Sequence, residues 1–423
     1  MKYLVLTSYV LLLLVGWRVL GYGMKPGVLL LLIWTAIVGL PLILVPDFYF
    51  SPHAAVFLFF MLTLALVGAA LGKTRAHAIQ RRSRYSLTRN SMAWIVTGSV
   101  SGLLSCLIIL YSEGFGIADF LSLDRYLAMA HGMAIERYIF GYVPPITARV
   151  LMAPAHCAAM IAATRVAAGV NKSRSQTILG FFPFLPALLM AVILTTRASF
   201  LFMAVLYTSA YLAARIYFQP DRISVVASRE LIQKCVTGVL IVCVLFFVLQ
   251  VARSGAIDSG NFGETLRHLR KWPFGSVSAF AIWFDSINLH REQASFGYYT
   301  FTGLFSLLGI RERGEGIFTD YVDVGIGEFS NVYSVFRGLV LDFGVMGTGV
   351  VMTLLGFTGT IAFQYVRSGR VFAIGVLLAV YAFVLWSPIV SFYAYTAHIA
   401  AIALYSFYLK LETSPLRFKF ART

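Results

Sequence analysis

Two arginines beside short polar turns are the residues whose type and position best suit chemistry. Arg197 lies in Thr195-Thr-Arg-Ala-Ser199, which interrupts a long apolar run, and Arg253 follows another apolar run in Arg253-Ser-Gly255. A guanidinium carries a permanent charge and a planar fork of donors that matches phosphate oxygens. Both positions therefore predict binding of a diphosphate group. The alternatives are an Arg197 that reaches lipid phosphate and an Arg253 that anchors a helix end.

A second set of candidates lies in or just after the long polar stretch at residues 252–338. Arg337 and Asp342 are five residues apart, just before the next apolar run. One side chain could bind phosphate while the other acts on a hydroxyl; the alternative is an ion pair between them. A carboxylate or an imidazole can remove a proton from an attacking hydroxyl. The further candidates are two bases and one phosphate ligand: Glu328, His290 and Arg291.

The sequence predicts no metal site and no cofactor. Asp-x-Asp does not occur, the four cysteines all fall within apolar runs, and His290 has no other histidine near it in the chain. Phosphate-binding loops and dinucleotide fingerprints are also absent from the sequence. Arginine side chains would then carry the charge of a bound diphosphate.

The elements that position these residues are predicted to be membrane-spanning helices. The chain of 423 residues is 59% hydrophobic and 12% charged, and a helix of roughly 20 apolar residues crosses the bilayer core. The apolar runs predict an all-α polytopic membrane protein with about 11 spans. These spans are predicted near 3–20, 27–45, 54–72, 92–111, 142–168, 178–195, 198–218, 235–251, 343–365, 371–386 and 389–409.

The distribution of charge predicts the orientation of the spans. The loops on one side hold most of the 34 Lys and Arg residues but only Asp221, Glu230 and Glu412 of the 18 acids. Cytoplasmic loops are rich in basic residues, so the N-terminus is expected outside and the C-terminus in the cytoplasm. The net charge of +16 then reflects topology and attraction to lipid headgroups, and it needs no nucleic-acid partner.

Three regions follow from this topology. Residues 1–251 are predicted to hold spans 1–8 with a medium outer loop at 112–141, residues 252–338 a long outer loop, and residues 339–423 spans 9–11 with a basic tail. Within the long loop, residues 276–284 and 296–310 are apolar but too short to cross the bilayer. They predict interfacial helices, or alternatively a re-entrant hairpin. The aromatic residues expected at headgroup level are Trp272, Trp283, Tyr298 and Tyr299.

Two segments carry a resemblance to a known family. Phe296-Gly-Tyr-Tyr-Thr-Phe301 and Asn331-Val-Tyr…Asp342-Phe-Gly344, with Gly347 beyond, resemble the Wzy-type polymerases of bacterial O-antigen and related surface polysaccharides. The span count, the long outer loop and the arginine in a tight turn are similar to that family. The resemblance implies a GT-C-like glycosyltransferase of the bacterial inner membrane, with its active site facing the periplasm.

The implied reaction extends a glycan on undecaprenyl diphosphate. The growing chain would be transferred to a new lipid-linked repeat unit, and a separate co-polymerase would set chain length. The resemblance implies diphosphate binding by Arg197, Arg253, Arg337 and Arg291, and catalysis by Asp342, Glu328 or His290, without metal or cofactor.

Three other functions remain open. An O-antigen ligase uses the same donor but transfers glycan to lipid A-core, and the Asn-Val-Tyr…Asp-Phe-Gly segment favours the polymerase over it. A flippase or transporter predicts inverted repeats and charged or broken helices at mid-membrane, whereas the ionisable residues here concentrate in outer loops. A non-catalytic scaffold would leave the arginines in the outer turns without a purpose.

Overall fold

The computed structural model describes residues 1–21, 23–75, 91–120, 122–138, 142–170, 173–220, 243–252, 259–287, 294–310, 318–325 and 327–413. These residues are almost entirely helical. The helices are α1 (Lys2–Leu20), α2 (Pro26–Leu44), α3 (Pro52–Arg75), α4 (Ser91–Ser112), α5 (Leu123–Tyr138), α6 (Ile146–Ala167), α7 (Arg174–Phe181), α8 (Phe184–Ile193), α9 (Arg197–Phe218), α10 (Cys243–Ala252), α11 (Ser259–Ser286), α12 (Thr302–Leu307), α13 (Ser334–Arg367), α14 (Ala373–Trp386) and α15 (Thr396–Thr413). Two short antiparallel strands, β1 (Val322–Asp323) and β2 (Phe329–Ser330), form a hairpin.

Eight helical segments among the described residues are long and apolar enough to cross a membrane. They are α1, α2, α3, α4, α6, α7 with α8, α9 and α13. This confirms the prediction of an all-α polytopic membrane protein. The helices α10 and α14 are apolar but shorter, and α15 covers most of the last predicted span. The count of eleven spans and the orientation stay predictions.

The chain forms two compact units that combine distant parts of the sequence. Unit 1 comprises residues 1–84, 219–226 and 270–396, and unit 2 comprises residues 85–218, 227–269 and 397–423. Unit 1 thus contains α1 to α3, the later part of α11, and α12 to α14. Unit 2 contains α4 to α10 and nearly all of α15. These units divide the chain differently from the three sequence regions predicted above.

The core of unit 1 is built on the close approach of α3 and α13. A Cβ atom added at Gly68 would lie 1.9 Å from the carbonyl oxygen of Thr353, and one added at Gly356 would lie 1.9 Å from that of Ala65. Small residues allow helix backbones to approach closely, and lipid-embedded helices associate mainly through such packing. The two glycines therefore fix the register of α3 against α13.

Helix α13 contains a break at Gly344, whose backbone angles are φ 65° and ψ −179°. Glycine adopts this conformation without a Cβ clash. The break divides the 34 residues of α13 into a first part of about three turns and a second part of a length that spans a bilayer. Arg337 and Asp342 both lie in the first part, because the helix begins at Ser334, before the apolar run of the predicted span.

The core of unit 2 pairs α4 with the alanine-rich α6. A Cβ atom at Gly98 would lie 2.4 Å from the carbonyl oxygen of Pro154, so the helix backbones approach closely there. Ser101 and Ser105 donate hydrogen bonds to carbonyl oxygens of α6, at Leu151 (2.8 Å) and Ala148 (2.7 Å). Buried hydroxyl groups thus have partners across the helix pair, as the low-polarity interior requires.

The polar stretch at residues 252–338 is more ordered than a loop. It contains α11, α12, both strands and the start of α13. Trp283 is only 8% exposed and residues around it on α11 are buried, so its ring packs within the protein. Its predicted depth at the headgroups stays a prediction. The side chain of Trp272 lies outside the described residues.

Candidate functional site

The guanidinium group of Arg337 is enclosed by aromatic rings, an arrangement we call the arginine cage. Its central carbon lies 4.0 Å from the ring centroid of Tyr333, 4.2 Å from that of Phe318 and 5.3 Å from that of Trp283. Its Nη1 donates to Oδ2 of Asp320 at 2.8 Å. Cation–π contacts strengthen when the cation is desolvated, and Arg337 is only 9% exposed. The cage therefore holds the cation in one orientation.

One donor of the caged arginine stays unused among the described residues. The Nε–H of Arg337 is buried and has no hydrogen-bond partner there. A buried donor without a partner costs about 1–3 kcal/mol, so such groups call for an explanation. A bound oxyanion or sugar oxygen at this edge would supply the missing acceptor.

Asp320 neutralises the cage from its more exposed side. Its side chain is 51% exposed, and Oδ2 accepts hydrogen bonds from Arg337 and from the Tyr333 hydroxyl (2.9 Å). Burial alone would raise the pKa of Asp320, but the hydrogen bonds from both partners and the arginine charge lower it below the usual aspartate value. Burial and then the Asp320 hydrogen bond raise the pKa of Tyr333 to about 12. Asp320 is thus an anion, and Tyr333 a neutral donor, at neutral pH.

Asp342 joins the two segments that carried the family resemblance. Its Oδ1 accepts from the Ser295 hydroxyl (2.6 Å) and the Tyr299 N–H (2.9 Å), and Oδ2 accepts from the Thr300 N–H (2.6 Å). Its side chain is fully buried. We call this set of bonds the Asp342 clamp. With both oxygens engaged, the carboxylate positions residues 295–300 on α13.

The break in α13 takes part in the same attachment. The carbonyls of Leu341 and Asp342, just before Gly344, accept hydrogen bonds from the backbone N–H groups of Ser295 (3.1 Å) and Phe296 (3.0 Å). A helix break frees carbonyl groups that must find other donors. Residues 295 and 296 supply these donors, so the break and the clamp form one structural unit.

Arg337 and Asp342 do not pair with each other. Arg337 binds Asp320, and Asp342 binds the three donors of the clamp. The alternative of an ion pair between them is therefore wrong. Five residues along a helix correspond to a rotation of about 140°, so the two side chains point in different directions.

Glu328, a predicted base, lies at the β hairpin of unit 1. Its Oε2 is 3.4 Å from the Lys271 ammonium, and both side chains are largely buried. A second carboxylate in unit 1, Asp285, accepts from the hydroxyls of Tyr49 (2.9 Å) and Ser51 (2.8 Å). The Asp285 hydrogen bond raises the pKa of Tyr49. Unit 1 thus holds several carboxylates with defined partners.

Arg197 lies in unit 2 and is the first residue of α9. The predicted break between two apolar helices is confirmed, since only residues 194–196 separate α8 from α9. Arg197 donates to the side-chain oxygen of Gln250 on α10, and its guanidinium lies 5.0 Å from the ring centroid of Phe246. The contacts of this cation include an amide oxygen and an aromatic ring. Nothing in this arrangement conflicts with the predicted phosphate role, which stays a prediction.

Strained backbone occurs at the predicted site segments. Within the described part of the chain, the residues other than glycine with positive φ are Thr195 (48°), Phe296 (48°) and Ser334 (66°). This conformation costs an L-residue roughly 1–3 kcal/mol, and such residues cluster at functional sites. Thr195 precedes Arg197, Phe296 opens the segment held by the clamp, and Ser334 precedes the caged arginine. Strain is therefore concentrated at the elements that carry the candidate residues.

Three of the predicted site residues, His290, Arg253 and Arg291, lie outside the described residues. Arg197 belongs to unit 2, whereas Arg337, Asp342 and Glu328 belong to unit 1. Within the described ranges, no group of three or more His, Cys, Asp or Glu residues could hold a metal ion.

Sequence reasoning missed the partners of the candidate arginine. Sequence reasoning did not identify Phe318, included Tyr333 only within the Asn331-Val-Tyr segment, and did not separate Asp320 from the other outer acids. Each of these residues contacts Arg337 only through the tertiary fold. Sequence reasoning also passed over His156, which is buried in the middle of α6 in unit 2. Its ring packs against that of His398 at a centroid distance of 5.0 Å. A histidine within an apolar helix was the signal that could have identified it.

Comparisons with protein-family models, curated proteins and solved structures found no significant match to this chain. The resemblance to Wzy-type polymerases therefore stays a prediction.

Proposed function

We propose that this protein is a membrane glycosyltransferase that polymerises lipid-linked oligosaccharide repeat units. The observation that carries the proposal is the arginine cage, in which a desolvated guanidinium is held rigidly beside an anion and keeps one buried N–H unused. A preorganised cation of this kind stabilises charge that develops on a leaving diphosphate. The two segments that the Asp342 clamp joins resemble the polymerase family, and this resemblance supports the same function.

The proposed reaction takes place on the anomeric carbon of the donor glycan. An oxygen of the acceptor sugar forms a bond to that carbon, while the bond from the carbon to the phosphate oxygen breaks. The proton of the acceptor hydroxyl passes to a general base, and undecaprenyl diphosphate leaves with the electron pair of the broken bond. Positioned acid–base groups and preorganised donors are the two largest contributions that side chains offer here.

The residues divide between these tasks. Arg337 and Arg197 are the described candidates for the diphosphate, because each presents a guanidinium at the start of an apolar helix. We assign Asp342 a positioning role and not that of a general base, since its two oxygens already accept three hydrogen bonds. Glu328 and His290 then remain as candidate bases, with the active site expected on the periplasmic side of the inner membrane.

The test is the pattern of undecaprenyl diphosphate-linked glycans in a strain that lacks the gene, measured by mass spectrometry. The strain is complemented with the wild-type chain, with Arg337→Lys, with Arg197→Gln or with Arg215→Gln. We expect single lipid-linked repeat units to accumulate in the deletion strain and with both site variants. Arg215→Gln removes a charge of unit 2 outside the proposed site and should restore long chains.

Other patterns would contradict the proposal. Long lipid-linked chains in the deletion strain would indicate a ligase, and repeat units retained on the cytoplasmic face would indicate a flippase. Wild-type chain lengths with both site variants, at equal protein levels in the membrane, would remove the diphosphate assignment.

A further inference from the structure

Basic residues from three segments of unit 1 meet at one end of its helices. Lys25 precedes α2, Lys73 lies near the end of α3, and Arg367 is the last residue of α13. The ammonium of Lys73 donates to the carbonyl of Val19 at 2.7 Å, and that of Lys25 donates to the next carbonyl, Leu20. Both lysines thus converge on the C-terminal end of α1. We call Lys25, Lys73 and Arg367 the basic cluster.

Glycine-mediated packing brings these segments together. A Cβ atom at Gly27 of α2 would lie 3.0 Å from Leu20 and 3.3 Å from Ala69, which belong to α1 and α3. A Cβ atom at Gly72 would lie 2.9 Å from the carbonyl oxygen of Phe357 on α13. The close contacts lie within one or two turns of the basic residues, so the cluster follows from the helix packing.

The like charges of the cluster repel one another. Burial, and then the charges of Lys73 and Arg367, lower the pKa of Lys25. Residues 18–25, 68–75 and 360–372, which contain the three cations, hold no Asp or Glu. The helix C-terminus of α1 supplies partial negative charge for the two lysines. Three like charges gathered at one place attract an anion, and binding of that anion would relieve their repulsion.

The position of the cluster indicates where that anion comes from. It lies at the ends of α1, α2, α3 and α13, all long and apolar enough to cross a membrane. Val19 (36% exposed) and Leu71 (54% exposed) present apolar surface beside it, and the ring of Tyr365 lies under Arg370, 4.5 Å away. Aromatic and basic side chains with exposed aliphatic neighbours are typical of the headgroup level.

We propose that the basic cluster binds the phosphate of an anionic phospholipid, with the acyl chains against the exposed faces of α1 and α3. Basic pockets between membrane helices bind such headgroups, and each Lys or Arg contributes through its charge. The inference is independent of the proposed enzymatic function.

The test is native mass spectrometry of the purified full-length chain, titrated in detergent with phosphatidylglycerol or with phosphatidylcholine. We expect tighter binding of phosphatidylglycerol, and a loss of about 25-fold in its affinity when K73Q and R367Q remove two charges. The matched control, R174Q with R215Q, removes two charges from unit 2 and should bind phosphatidylglycerol as the wild type does. Should the first double variant fail to fold, R367Q alone changes only an exposed side chain and should weaken binding about fivefold.

Three outcomes would overturn the proposal. One is equal binding of the two lipids by the wild type, and another is unchanged phosphatidylglycerol binding in the folded cluster variants. The third is displacement of phosphatidylglycerol by millimolar inorganic phosphate, which would make the ligand a soluble anion.

Discussion

Arg337 in unit 1 and Arg197 in unit 2 have similar local positions but different surroundings. Each lies in the first turns of an apolar helix and next to strained backbone. Arg337 binds a carboxylate and lies among three rings, whereas Arg197 binds the neutral amide of Gln250 and one ring. The contacts around Arg337 therefore contribute to the fold and also hold the cation in one orientation, as the proposed diphosphate role requires. The contacts of Arg197 thus include a neutral amide where Arg337 has a carboxylate.

The largest effect on stability is expected in unit 1, from loss of the Asp342 clamp. Asp342→Ala removes the acceptor of the Tyr299 and Thr300 N–H groups, at roughly 1–3 kcal/mol for each, and leaves the Ser295 hydroxyl only the longer bond to the Leu341 carbonyl. We expect the free energy of unfolding to fall by at least about 3 kcal/mol in total, which a lower Tm of the purified protein would show. Ser295→Ala removes one donor and leaves the carboxylate bonded, so it should lower Tm much less. Equal shifts for the two variants would show that the clamp does not hold residues 295–300.

Removal of each arginine tests the comparison directly. Arg337→Met deletes the cation between Tyr333 and Phe318 and leaves Asp320 unpaired, which we expect to cost about 2 kcal/mol. Arg197→Met should cost less, because the partner it leaves at Gln250 is a neutral amide, whereas Arg337→Met leaves a carboxylate unpaired. Thermal unfolding of both variants in the same detergent measures the difference. A larger loss for Arg197→Met would mean that Arg197 contributes more to the stability of the fold than the caged arginine does.

A smaller effect is expected from the pH dependence of the arginine cage. The pKa of Asp320 is lower in the folded protein, so its pairing stabilises fully above the usual aspartate value, about 4, and is lost as the pH falls through the folded pKa. Asp320→Asn should therefore lower Tm at pH 7 and match the wild type at a pH below both values. Because Asp320 is half exposed, we expect at most about 1 kcal/mol at pH 7. A difference that persists unchanged to low pH would mean that the charge of Asp320 does not stabilise the cage.

The smallest structural effect is expected from Arg197→Lys. The ammonium keeps the charge and reaches a similar depth, so the free energy of unfolding should stay within about 0.5 kcal/mol of the wild-type value. A lysine lacks the planar fork for a diphosphate, so lipid-linked chains should still shorten in the complementation assay. Full-length chains with Arg197→Lys would mean that charge alone suffices at this position.

Local patterns in the sequence were enough to predict the helices. Apolar runs of bilayer length predicted the segments that α1 to α4, α6 and α9 occupy, and the polar interruption at 195–199 predicted the short connection before Arg197. Apolar runs and short polar turns are defined by residues that are neighbours in the chain. Within a membrane such a run has few possible structures, because its backbone hydrogen bonds must be satisfied internally.

The contacts of the candidate site could not be predicted in the same way. Asp320 lies 17 residues before Arg337, and the donors of the Asp342 clamp lie 42 to 47 residues before their acceptor. No periodicity links such positions, because the chain between them determines which side chains meet. The same holds for Trp283, whose contact with Arg337 depends on the packing of α11 against α13 and follows from no local pattern.

The pairing of α3 with α13 has a consequence for the synthesis of the chain. Gly68 contacts Thr353, and Ala65 contacts Gly356, so the partners of one interface are separated by almost the whole length of unit 2. At roughly 5–20 residues per second, the ribosome needs tens of seconds to make the second partner after the first. During that interval the glycine face of α3 is in the bilayer without its final neighbour, while the helices α4 to α9 can already assemble with one another. Unit 2 therefore completes most of its packing before unit 1 can.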